Sequence, residues 1–166
     1  RQLVPPGRAT VGGHGFARPV CAVRARRRGS LRLATGHPLA PPLIDPAFLQ
    51  HGDDTRRLVA GFRRMRELLS QPALARHGGV ERSAAAKSDA EIEAFIRQHA
   101  DTIYHPVGSC RMGQGPMDVV DERLRVRGIE RLRVVDASIM PSVVAGNTNA
   151  PTIMIAEQAA RWLRQG

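Results

Sequence analysis

Val134-Val135-Asp136-Ala137-Ser138-Ile139-Met140-Pro141, continuing through Gly146-Asn147-Thr148-Asn149-Ala150-Pro151-Thr152, is the stretch whose reading decides the fold of this chain. Two β-branched residues predict a strand, and the acid and small residues after them predict that it stops. The Asn-Thr-Asn cluster supplies N-cap side chains, and Pro151 suits a first helical turn. A helix is therefore expected from Pro151 to Leu163, with Ile153, Ala156, Ala159, Ala160 and Leu163 as its buried face. A strand feeding a helix in this way presents free N–H groups and partial positive charge at the helix start.

Upstream stands Tyr104-His105-Pro106-Val107-Gly108-Ser109-Cys110-Arg111-Met112-Gly113. Pro106 forces an extended backbone on His105, and Gly108 lets the loop approach whatever it faces. A neutral imidazole held there can accept a proton near neutral pH, as a general base must; the alternative is a structural, hydrogen-bonded histidine. Asn147 and Asn149 read equally well as helix caps or as groups facing a ligand. Asp136 reads as a cap for the following turn, or as an acceptor for hydroxyls of a cofactor chain.

Outward from these segments, the chain reads as α+β or α/β. Val20–Val23 and Ser30–Ala34 are strand-like and pair across the arginine turn as a hairpin. Four prolines between His37 and Pro46 make that stretch an extended connector. Asp53 offers an N-cap for a helix carrying Leu58, Phe62, Met65 and Leu69 and ending before Pro72. Ser88 with Glu91 forms a capping box for a helix bearing Ile92, Phe95, Ile96 and His99, with His99 a polar residue at its end. Leu124–Val126 and Leu132–Val135 read as strands separated by Gly128. A mixed or antiparallel sheet covered by helices follows, with an irregular lead-in over residues 1–14.

Bulk properties narrow the function. The chain has 166 residues, 42% of them hydrophobic, enough for a core. It begins at Arg1 and carries no complete dinucleotide-binding fingerprint. Its nearest candidate, Gly13-His14-Gly15-Phe16-Ala17-Arg18, ends in Arg where a small residue belongs. The expectation is therefore a carboxy-terminal portion of a longer protein.

The net charge of +10 raises a basic nucleic-acid-binding module as the alternative. Against it, the dense cluster Arg24, Arg26, Arg27 and Arg28 has no interleaved aromatic residues for base stacking. The histidines lack metal-ligand spacing, and no Gly-x-Ser-x-Gly elbow indicates a serine hydrolase. Cys21 and Cys110 are too few for a disulfide framework and read as buried thiols in a reducing, cytoplasmic setting. No apolar run approaches the roughly 18 residues of a transmembrane segment.

Taken together, the two signatures, the run Arg28-Gly29-Ser30-Leu31-Arg32-Leu33 leading to Pro41-Pro42-Leu43-Ile44-Asp45-Pro46, and the helix Pro151-Thr152-Ile153-Met154-Ile155-Ala156-Glu157 resemble the glucose–methanol–choline (GMC) family of flavin-dependent alcohol oxidoreductases. The likeness spans roughly residues 15 to 166, and its wording is most similar to the choline dehydrogenase and alcohol dehydrogenase branch. It departs at Ser109, where Thr is commoner, and at Arg131, which replaces a small residue and is expected to face solvent.

The resemblance implies a substrate-binding portion over residues 15–100 and, over 101–166, the carboxy-terminal return into a Rossmann-like FAD-binding domain. It implies FAD as cofactor, a small-molecule alcohol as substrate, and oxygen or a quinone-like acceptor. It makes His105 the catalytic acid/base and Asn147 the second active-site residue. Tyr104, His105, Asp136, Ala137, Asn147, Thr148, Asn149 and Thr152 become FAD contacts, with no metal and no nucleic acid involved.

Overall fold

The computed structural model describes residues 19–79, 81 and 83–165. The lead-in over residues 1–14 and the Gly13–Arg18 run lie outside them. Its named elements are strands β1 (Ser30–Arg32) and β2 (Leu43–Asp45) and helices α1 (Gly52–Leu69), α2 (Pro72–Ala75), α3 (Asp89–His99) and α4 (Asn149–Gln165), with a 3-10 turn at Ala137–Ile139. The chain divides into two compact units. One takes in Thr55–Ala100 with the segment ending at Ala22; the other joins Val23–Asp54 to Asp101–Gly166.

In the first unit the apolar spacing does what it predicts. Val59 is buried in α1, with Leu58, Phe62, Met65 and Leu69 half-buried along the same helix. Phe62 meets Phe95 of α3 edge-on, ring centroids 5.8 Å apart. Ile92, fully buried, and Ile96 anchor α3. The expected capping box is formed. Ser88 Oγ accepts the Glu91 N–H at 3.3 Å, and the Glu91 carboxylate accepts the Ser88 N–H at 2.8 Å. These N–H bonds from Ser88 and Lys87, with that of the Ser88 hydroxyl, hold the Glu91 carboxyl below its ordinary range. His99 ends the helix stacked on Phe95, its Nδ1 2.8 Å from the Phe95 carbonyl.

The hairpin is built from other partners than the sequence suggests. Val20–Val23 form no strand: Arg24 turns the chain with φ 55°, and the Arg26 and Arg27 N–H groups bond the Asp54 carboxylate at 2.8 and 2.9 Å. β1 instead pairs antiparallel with β2, Leu31 opposite Ile44, inside the proline-rich connector. Leu43, Ile44 and Asp45 are the proline-free residues between Pro42 and Pro46, so only they can offer the ladder N–H groups. Gly29 is obligatory at the entry to β1, because the Asp45 carbonyl and Pro46 backbone occupy the place of a Cβ. This two-stranded sheet, antiparallel as one of the two expected alternatives had it, is the whole of the regular sheet among the described residues. Cys21 is exposed rather than buried, and Cys110 is half-buried.

The second core gathers Val120, Leu124, Ile139, Met140, Ile155 and Ala159, with Trp162, Val134 and Val135 packed against it. Leu124–Val126 and Leu132–Val135 meet through the single bridge of Arg125 to Arg133 rather than as full strands, and Val126 bridges separately to Val120. Leu124 and Arg131 take left-handed backbones, φ 64° and 60°, which bend the chain before a ladder can extend. Helix α4 also differs from expectation. Ile155 and Ala159 are buried, whereas Ile153 is 56% and Leu163 62% exposed. The helix is apolar on two sides, and periodicity alone does not choose between them.

Arginine side chains fasten the loops. Arg66 donates to the carbonyls of Ala86 and Ser83 at 2.6 and 2.5 Å and pairs with Glu81 at 2.7 Å. Arg127 reaches the Gly113 carbonyl, Arg133 that of Arg123, and Arg27 that of Pro46. No helix among the described residues is long and apolar enough to cross a membrane.

Candidate active site

The histidine loop is held from three directions. Gly108 and Cys110 both donate their N–H groups to the Ser138 carbonyl, at 3.0 and 3.1 Å, and Met112 donates to the Ile139 carbonyl at 2.8 Å. The 3-10 turn thus carries the loop on its carbonyl edge. Asp136 fixes that turn by accepting the Ser138 N–H at 2.7 Å, the capping alternative read from the sequence. Ala137 is half-buried beside the core. Gly108, at φ 89°, passes the Met140 carbonyl so closely that a Cβ would stand 3.4 Å from it.

The loop's far end is tied by Asp118, which the sequence reading missed. Its carboxylate accepts from the Arg111 guanidinium and, at 2.6 Å, from the Gly115 N–H. The Arg111 hydrogen bond, followed by that of Gly115, holds the Asp118 carboxyl below its usual range against a smaller opposing effect of burial. Gly113 is small because the Asp118 carboxylate occupies the space of its Cβ. Next along, burial raises the Asp121 carboxyl, but bonds from the Arg125 and Arg123 N–H groups and the Arg125 side chain outweigh it, leaving it lowered. The glycine in Arg111-Met112-Gly113, followed by an acid five residues later, was the available signal.

Tyr104 and His105 sit at the loop's start. Tyr104 has φ 62°, an uncommon backbone for an aromatic residue, and its side chain is 70% exposed. Its N–H bonds the Thr102 hydroxyl at 3.0 Å. His105 is half-buried, with Nδ1 3.0 Å from Thr148 Oγ1. That contact brings the two signatures together, since Thr148 immediately precedes α4. Asn147 and Asn149 flank it and are exposed, while Thr152 turns its N–H and hydroxyl back onto the Thr148 carbonyl at 3.0 and 2.6 Å.

The start of α4 has the character required by a ring that gains negative charge on accepting a hydride. No acidic residue occupies its first turn, so nothing there opposes negative charge. Pro151, in that turn, has no N–H to satisfy. The residues present thus fit the flavin that the sequence resemblance implies. A shallow cleft of about 510 Å³ lined by Arg125, Arg131, Arg133 and Leu163 contains none of the candidate residues.

Comparison with known proteins identifies the family. Residues 25–156 match the family model described as GMC oxidoreductase. The chain is 49% identical over 156 residues to an alcohol dehydrogenase [acceptor] of Pseudomonas putida, covering 93% of this chain and 28% of that protein. It is 44% identical over 160 residues to an oxygen-dependent choline dehydrogenase of Chromohalobacter salexigens, covering 95% of this chain and 29% of the relative.

Among solved structures it resembles pyridoxine 4-oxidase from Mesorbium loti, with TM-score 0.76 and 35% identity over 87% of this chain and 28% of that one. It also resembles an FAD-dependent oxidoreductase from Chaetomium thermophilum, with TM-score 0.80 and 26% identity over 86% and 25%. The chain spans less than a third of the length of these relatives. With the family model covering most of its residues and both signatures meeting at His105 and Thr148, the chain belongs to the GMC oxidoreductase family, whose members are FAD-dependent.

Proposed function

We propose that this chain supplies the acid/base half of a flavin-dependent alcohol oxidation, converting a primary or secondary alcohol, choline-like or other, to a carbonyl. The observation that carries the reading is His105, half-buried and fixed through Nδ1, beside a helix start free of acids. Bound FAD would supply the hydride acceptor, its N5. His105 takes the hydroxyl proton on Nε2, and Asn147 hydrogen-bonds the same oxygen. Tyr104, Asp136, Ala137, Thr148, Asn149 and Thr152 border the place where the cofactor would lie. Oxygen or a quinone-like acceptor would complete the cycle in a cytoplasmic setting, in keeping with two free cysteines.

The same reading assigns residues 15–100 to the substrate-binding portion and 101–166 to the return into a Rossmann-like FAD domain. The break between compact units at Ala100 and Asp101 falls at that boundary, although Val23–Asp54 groups with Asp101–Gly166 and not with Thr55–Ala100. A nucleic-acid-binding role is not favoured.

Flavin bleaching by alcohol, followed by rapid mixing in an enzyme of the relatives' full length, tests the assignments. His105→Gln is expected to keep its FAD and to slow bleaching by about 10²–10⁴-fold. Asn147→Ala and Asn147→Ser are both expected to slow it, since serine restores a cap but does not reach the alcohol oxygen. Bleaching at the normal rate in the His105 variant ends the acid/base reading; normal rates in both Asn147 variants end the role of Asn147 alone.

A further inference from the structure

The first turn of α4 frees a hydroxyl that a helix ordinarily keeps for itself. A threonine at an N-cap usually offers its oxygen to the N–H of the second or third helical residue. Here α4 opens at Asn149, so the third residue is Pro151, which has no N–H, and the second, Ala150, makes no bond to the Thr148 hydroxyl among the described residues. Thr148 Oγ1 lies instead 3.0 Å from His105 Nδ1, its only hydrogen bond among the described residues. Thr148 is only 9% exposed, so water competes poorly for that oxygen. The Thr148 backbone is itself fixed, its carbonyl holding both donors of Thr152. On the other side of the ring, Nε2 has no hydrogen-bond partner among the described residues.

We propose that Thr148 is the positioning residue for His105, its hydroxyl setting both the ring plane and the reactive nitrogen. The inference rests on the reading of His105 as the base. With Oγ1 accepting the Nδ1 hydrogen, the lone pair of the neutral ring sits on Nε2. When the alcohol O–H bond breaks, its proton forms the Nε2–H bond, while the hydride leaves the carbinol carbon for the flavin. The positive charge that appears on the ring is shared with the Nδ1–H···Oγ1 hydrogen bond, which a charged donor strengthens. A hydroxyl serves this place better than a carboxylate, because it adds no negative charge beside a ring that gains negative charge on reduction.

The test compares Thr148→Val, which keeps the shape and removes the hydroxyl, with Thr148→Ser, which keeps the hydroxyl. Both are made in the full-length, FAD-loaded enzyme with His105→Gln alongside. Thr148→Val is expected to lower kcat, counted per bound FAD, by about 10- to 100-fold through loss of alignment, with KM within about twofold. Thr148→Ser is expected to recover most of the rate.

Nitrogen-15 spectra of histidine-labelled enzyme give a readout independent of turnover. The His105 signals are expected to report Nδ1–H in the parent and the serine variant, and a mixture of tautomers in the valine variant. Should Thr148→Val fail to fold, Thr148→Ala carries the same comparison. Unchanged kcat and an unchanged tautomer without the hydroxyl overturn the inference while His105→Gln remains inactive. An active His105→Gln enzyme overturns the acid/base reading and the positioning role together.

Discussion

Two isoleucines two residues apart in α4 offer a sharp test of how the second core is built. Ile155 is 7% exposed and belongs to the cluster with Val120, Leu124 and Ile139, whereas Ile153 is 56% exposed. Truncating either to alanine removes three carbons. At about 0.8 kcal/mol per buried methylene the transfer loss at Ile155 is about 2.4 kcal/mol. The cavity left behind brings the total into the range of about 2–5 kcal/mol. At Ile153 roughly half of that transfer loss remains at most, and alanine's higher helix propensity returns a few tenths of a kcal/mol, so the net is below about 1 kcal/mol. For a chain of this length each kcal/mol moves the melting temperature by about 2–4 °C. Thermal melts of the chain followed by circular dichroism should place Ile155→Ala at least about 4 °C below the parent and Ile153→Ala within about 4 °C. The reverse order would refute the orientation assigned to α4, and with it the packing beneath the candidate site.

Two further substitutions probe the hairpin and the capping box. Gly29→Ala drives a methyl into the Asp45 carbonyl and Pro46 backbone and should cost about 1–3 kcal/mol by the same melts; a neutral result would mean the β1–β2 entry is not as drawn. Ser88→Ala should cost about 0.5–2 kcal/mol at neutral pH. Because the Glu91 carboxyl is lowered in the fold, its contribution is present above the ordinary glutamate value, near pH 4.3, and is lost as pH falls through the lowered one. The gap between Ser88→Ala and parent should therefore narrow on acidification in a pH series of melts, and a constant gap down to about pH 2 would count against the box.

Local signals in this sequence were readable wherever one residue dictates one hydrogen bond. Ser88 with Glu91, Asp136 before small residues, and Pro72 after α1 all act within a few positions, and each is found doing so. Pairing over distance was not readable. The partner of β1 was hidden in a proline-rich stretch, because three proline-free residues suffice for a short ladder. Asp54 takes the N–H groups of Arg26 and Arg27, so the arginine stretch expected to turn that hairpin is held by a partner 28 and 27 residues away. The buried side of α4 was ambiguous because Ile153 and Ile155 sit on two comparably apolar faces. At the site, His105 stood out by its proline and glycine neighbours. Its link to Thr148 spans 43 residues, and the clue lay in Pro151, which has no N–H for the cap to hold.

The arginine fastenings change how the chain's charge is to be interpreted. A guanidinium presents several donors in a rigid fork and keeps its proton at any pH the fold survives, so it can hold a carbonyl and a carboxylate at once where lysine offers a point charge. Arg66 does this for Ala86, Ser83 and Glu81, and Arg127, Arg133 and Arg27 each hold a loop carbonyl. A carbonyl adds no compensating negative charge, so every such tie leaves the molecule more positive. Arg27, Arg127 and Arg133 thus carry part of the +10 while holding loop carbonyls, with no acidic macromolecular partner needed to account for them. Retention on heparin, phosphocellulose or bulk DNA at low salt is then the expected behaviour of the surface, and says nothing about what the histidine loop recognises.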